Sequence, residues 1–115
     1  MIGMTGSRLD PEGLDLYARL VRSPTHVAGA LEMMANWDLE AFSRDLPSLT
    51  TLLKLMVGDN DHTVPPQQAF VVQQRMAGVE VLRLPGVGHL AHEEQPDLVV
   101  RALLAICREY AGAIV

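Results

Sequence analysis

Two short apolar runs, Leu52–Val57 and Val79–Leu84, flank one helix-forming stretch, and this arrangement constrains the fold more than any other feature. A strand, a crossover helix and a second strand form a βαβ unit whose strands run parallel in one sheet. The first run is apolar except for Lys54, as expected of a strand covered on both faces, with the Lys54 ammonium reaching solvent at the strand end. Glu80 and Arg83 suggest that the second strand lies nearer a sheet edge. Pro65-Pro66 opens the intervening helix, which carries Ala69, Val72 and Met76 and ends before Gly78. Pro96 opens a last helix with Val99, Leu103, Ile106 and Tyr110 along one face.

The chain divides near Pro47. Residues 48–115 hold the β-α-β-α pattern, and residues 1–47 read as helix alone. Asp10-Pro11 and Ser23-Pro24 each supply an N-cap followed by a proline at the first helical position. Leu14, Tyr17 and Val21 follow the first start, and Val27, Leu31 and Met34 the second. Asn36 is the expected cap of a third helix carrying Leu39, Phe42 and Leu46, stopped by Pro47. Met33, Met34, Trp37 and Phe42 suit ordinary helix packing or the lining of a hydrophobic pocket.

Composition narrows the function classes. A chain of 115 residues that is 49% hydrophobic can bury one core. Its net charge of −5 argues against a nucleic-acid surface, which needs clustered positive charge. The single cysteine, Cys107, forbids an intrachain disulfide and fits a reducing, cytoplasmic setting. It falls in the apolar run of the last helix, where a small buried hydrophobe is expected. The first residues do not have the pattern of a signal peptide, and no apolar run is long enough for a transmembrane helix.

Chemistry concentrates in the loops that follow the two strands. The first is Gly58-Asp59-Asn60-Asp61-His62-Thr63-Val64-Pro65, and the second is Pro85-Gly86-Val87-Gly88-His89. Parallel strands bring both loops to the same sheet edge, where ligands of open α/β sheets bind. A carboxylate and an imidazole can then pair, as the acid and base of a nucleophilic triad do. The spacing of His89-x-x-His92, with Asp59, Asp61 and His62, supplies metal-ligand types but matches no zinc peptidase motif. His92, Glu93 and Glu94 read as a solvated approach to the last helix, with the acids favouring its dipole.

Gly58-x-x-Asp61 before Val64-Pro65, then Pro85-Gly86-x-Gly88-His89, resembles the C-terminal end of the α/β-hydrolase family, whose triad runs Ser, Asp, His along the chain. The resemblance implies that Asp61 is the triad acid and His89 the base, with no cofactor or metal. Thr5-Gly6-Ser7-Arg8, Tyr17-Ala18-Arg19-Leu20, His26-Val27-Ala28-Gly29-Ala30-Leu31 and Met33–Leu39 resemble the helical cap of one subgroup. Gly88–Pro96 resembles the same subgroup, the magnesium-chelatase accessory proteins of bacteriochlorophyll biosynthesis, a branch of photosynthesis. Two functions follow from the resemblance: part of a hydrolase acting on a small ester or amide, or a non-catalytic module binding a tetrapyrrole-like ligand or chelatase subunits. No Gly-x-Ser-x-Gly nucleophile elbow occurs, and the serines Ser7, Ser23, Ser43 and Ser48 lie outside any such turn. The expected fold is therefore α/β: a helical cap segment, then the β-α-β-α terminus of a parallel hydrolase sheet, a C-terminal fragment that is no hydrolase alone. Its unpaired inner strand is expected to invite self-association.

Overall fold

In the computed structural model, residues 2–111 are described. A 3-10 turn, Ile2–Thr5, leads into three helices, α1 (Pro11–Arg22), α2 (Pro24–Ala35) and α3 (Leu39–Asp45). Beyond a second 3-10 turn, Leu46–Ser48, come β1 (Lys54–Gly58), α4 (Gln67–Arg75), β2 (Glu80–Leu84), α5 (Ala91–Glu94) and α6 (Pro96–Ala111).

The helix starts follow local chemistry. The Gly13 N–H donates to Asp10 Oδ1 at 2.7 Å, and the His26 N–H donates to Ser23 Oγ at 3.3 Å. Each bond satisfies an amide that the first turn leaves without a partner. The third helix starts differently from expectation. Asp38 caps it by accepting from the Ala41 N–H at 2.9 Å, while Asn36 closes the end of α2. Asn36 still follows an unbroken run of helix formers, so its amide N–H completes α2 by bonding back to Glu32. The helix ends at Asp45, and Pro47 sits inside the 3-10 turn.

Strands β1 and β2 pair in parallel, with Lys54 beside Glu80 and Gly58 beside Leu84. Helix α4 makes the crossover and packs on β2. The buried apolar residues are Ala69, Met76, Val79, Leu84 and Val87, so the core runs from α4 and its C-terminal end along β2 into the loop after it. Residues Lys54–Val57 are half-buried, not covered on both faces, because the described residues form a sheet of two strands only. Strand β2 is the more exposed of the two, as its charges suggested.

Three expectations fail for the same reason: the true partners come from distant elements. The Lys54 side chain is not in solvent but 11% exposed, with Nζ 2.8 Å from Glu109 and 3.0 Å from Glu80. The ammonium also lies 4.7 Å from the centre of the Tyr110 ring, and the hydrogen bonds it donates to Glu109 and Glu80 raise its pKa. Cys107 is exposed, and so is Leu103, because α6 turns Leu98, Val99, Ala102, Ile106 and Tyr110 inward instead.

The molecule is open for its size. Its accessible surface is 8559 Å², whereas a folded monomer of 12.6 kDa exposes about 6,200 Å². Its radius of gyration is 16.6 Å, against about 13 Å for a compact domain of this length. Among the described residues no helix is long and apolar enough to cross a membrane.

Candidate active site

Gly58 and Leu84 end their strands as register partners, so the two loops leave the sheet at one level. The ladder continues into them: the Asp59 N–H donates to Leu84 O at 3.0 Å, and the Asn60 N–H to Val87 O at 2.9 Å. Gly58 permits this approach. A Cβ there would lie 2.5 Å from the carbonyl oxygens of both Val87 and Gly88.

The two loops bring Asp61 and His89 together, with His89 Nδ1 2.9 Å from Asp61 Oδ2. The other carboxylate oxygen, Oδ1, accepts from the Thr63 and Val64 N–H groups, both at 2.8 Å. Burial pushes the Asp61 carboxyl up, but hydrogen bonds from His89, Val64 and Thr63 outweigh it and hold the pKa below the usual value. Asp61 is therefore ionised at neutral pH and can only accept, which puts the proton of a neutral imidazole on Nδ1. Nε2 is then left with its lone pair, the arrangement a general base needs. The Asp61 side chain is 11% exposed and that of His89 is 37% exposed, so the acid is sheltered and the base accessible.

Asp59 has a different task. Its carboxylate pairs with Arg83 Nε on β2 at 2.8 Å. His62 is exposed beside the acid, and His92 lies on α5 with its Nε2 3.4 Å from Glu93. No group of three or more His, Cys, Asp or Glu side chains is placed to hold a metal ion among the described residues.

The segment from His92 to Glu94 is solvated at His92 and Glu93, as expected, but half-buried at Glu94. It belongs to α5, and Glu94 accepts from the Gly88 N–H at 2.9 Å. Glu93 accepts from the Tyr17 hydroxyl of α1 at 2.5 Å. That bond, with burial and the Glu93 charge, pushes the Tyr17 pKa up to about 12. Glu94 is drawn in because the short α5 turns it back toward the histidine loop, a tertiary effect that helix-dipole reasoning does not reach. Ser7 is likewise buried at 6% exposure, and its Oγ accepts from the Leu90 N–H at 2.8 Å. Sequence reasoning used Thr5-Gly6-Ser7 only as part of a resemblance. The signal that could have found it is a glycine followed by a small hydroxyl residue, which suits close backbone contact.

A cleft of about 160 Å³ adjoins the pair, with Met56, Leu84 and Val99 on its apolar side and His89 and His92 on its polar side. That is small beside the roughly 300–1,000 Å³ of ordinary ligand pockets. A larger groove of about 530 Å³ runs between β2 and α6, and it includes neither Asp61 nor His89.

Parallel strands, two converging loops and an Asp–His pair at the carboxyl edge define an α/β-type candidate site. The sequence profile of the alpha/beta hydrolase family matches residues 4–102, and the chain belongs to that family. Among characterised proteins it is similar to the magnesium-chelatase 30 kDa subunit of Rhodobacter capsulatus, at 34% identity over 97 residues. That match covers 84% of this chain and 34% of the relative. It is also similar to the proline iminopeptidase PfmaB of Pestalotiopsis fici, at 27% identity over 62 residues, 54% of this chain and 22% of that protein. The chain thus spans about a third of the length of the first relative and about a fifth of the second.

Proposed function

We propose that this chain supplies the acid–base half of a hydrolase-type triad, with Asp61 orienting His89 and His89 acting as general base and then general acid. The observation that carries the reading is the 2.9 Å Asp61–His89 contact, with the second Asp61 oxygen tied by two backbone amides. The base would take a proton from a serine or comparable nucleophile as it attacks an ester or amide carbonyl. It would return that proton to the leaving group. The sequence contains no Gly-x-Ser-x-Gly, so the nucleophile would come from polypeptide outside these 115 residues. The excess exposed surface, about 2,400 Å², has the magnitude of a permanent interface and supports such a partner segment. In this reading residues 1–47 are the cap and residues 48–115 the C-terminal part of the core.

Similarity to the magnesium-chelatase 30 kDa subunit favours a setting beside magnesium chelatase, in the cytoplasm, within bacteriochlorophyll biosynthesis. It also supports a second reading, a non-catalytic accessory module that binds a tetrapyrrole or a chelatase subunit.

Nitrophenyl-ester turnover, by this chain joined to a nucleophile-bearing hydrolase segment, separates the two. His89→Ala should lower kcat by about 10³-fold or more if His89 is the base. Turnover unchanged in His89→Ala would overturn the catalytic reading. Protoporphyrin binding that quenches Trp37 fluorescence equally in both proteins would then favour the accessory module.

A further inference from the structure

Three consecutive amides of the histidine loop each donate to an acceptor outside the loop. The Gly88 N–H bonds Glu94, the His89 N–H bonds the Thr5 carbonyl at 3.2 Å, and the Leu90 N–H bonds Ser7 Oγ. The same Thr5 carbonyl accepts from the His62 N–H at 3.3 Å, the residue after the acid. One oxygen thus holds both loops, and the Ser7 hydroxyl holds the residue beyond His89. Packing leaves little freedom. Gly6 has φ +77°, and a Cβ on it would meet Asn60 O. A Cβ on Gly88 would lie 2.4 Å from both Gly6 C and Ser7 N. The backbone of Gly6-Ser7 is therefore wedged between the acid loop and the base loop.

We infer that Ser7 is a positioning residue of the Asp61–His89 pair: with the Thr5 carbonyl it clamps the two loops so that Nδ1 faces the carboxylate. This rests on the reading of that pair as an acid–base unit. Ser7 is not the nucleophile. It is buried, and its hydroxyl oxygen is engaged by Leu90. The clamp acts on the backbone on both sides of the His89 side chain, so it sets where the ring lies. Ring position in turn decides which nitrogen carries the proton.

Imidazole nitrogen shifts of His89, measured by NMR on the 115-residue chain at mildly alkaline pH, report that tautomer ratio. Asp61→Ala gives the ratio without an acceptor. Ser7→Ala should move the ratio toward that end point by about threefold or more, the effect of one weakened hydrogen bond. Ser7→Cys keeps the shape but weakens the acceptor, and should shift the ratio in the same direction. It also provides the reading if Ser7→Ala fails to fold. Tyr17→Phe, which removes the α1–α5 bond but leaves the clamp, should keep the wild-type ratio. A folded Ser7→Ala or Ser7→Cys protein with the wild-type ratio overturns the inference. Ester turnover insensitive to His89→Ala would instead overturn the catalytic reading, and leaves the tautomer result to be judged on its own.

Discussion

The helical segment, residues 11–48, and the loop-bearing segment, residues 54–111, treat their apolar residues in opposite ways. In the first no residue is buried, and Leu31, Met33, Trp37, Leu39 and Phe42 are all more than half exposed. In the second, Val87 is fully buried and lies between loops that touch through backbone. The helices owe their form to caps and local hydrogen bonds. The loops owe theirs to contacts between residues far apart in sequence, such as Ser7 with Leu90. Side-chain bonds tie the regions together, Tyr17 to Glu93 and Arg75 to Ser43 among them. The contrast separates a site held by tertiary packing from a helical segment that is shaped locally and leaves its large apolar residues exposed.

The largest effect that could break this contrast is expected at Gly88. Gly88→Ala puts a Cβ 2.4 Å from backbone atoms of Gly6 and Ser7, which cannot move singly. A loss of about 3–5 kcal/mol in urea unfolding is expected. Gly86, unlike Gly88, has positive φ, but it has open space around its Cβ position. Gly86→Ala should therefore cost only about 1–2 kcal/mol of backbone strain. Equal losses at the two glycines would show that the loops are not interlocked.

Smaller effects belong to the helices. Asp38→Ala removes the cap of α3 and should cost about 1 kcal/mol, read as lost helical circular dichroism. Leu31→Ser, on a residue 58% exposed, should stay within about 0.5 kcal/mol. A much larger cost for Leu31→Ser would mean that α2 is already covered in solution.

The last test is pH. The folded pKa of Asp61 lies below its ordinary 3.8, so its contribution is complete above that value and fades as pH falls through the folded one. The difference in urea midpoint between wild type and Asp61→Asn should be constant near neutrality and narrow below pH 3.8. Asp15, paired with Arg19 on the surface of α1, serves as the contrast: Asp15→Asn should show a small difference throughout. A gap for Asp61→Asn that does not narrow in acid would show that the carboxylate charge does not hold the loop.

Much of the fold was legible because its signals are local. Asp10-Pro11 and Ser23-Pro24 start helices through atoms three residues apart, and glycine loops end both strands. The site was legible as two residue types at the ends of parallel strands, and the structure places Asp61 against His89. Asp59 was separable from Asp61 only by motif position until Arg83 was seen to engage it. Lys54, Cys107 and Glu94 were misread because each depends on which side of a distant element it faces.

The sequence by itself determined the order of elements, the helix starts and the pairing of an acid loop with a histidine loop, since short-range hydrogen bonding and strand periodicity govern them. Tertiary structure alone decided that Thr5 and Ser7 clamp both loops, that Glu94 holds the Gly88 amide, and that helices α1 to α3 keep their apolar faces open. Those contacts join residues as far apart as Thr5 and His89, and no local pattern specifies which distant backbone will arrive beside which loop.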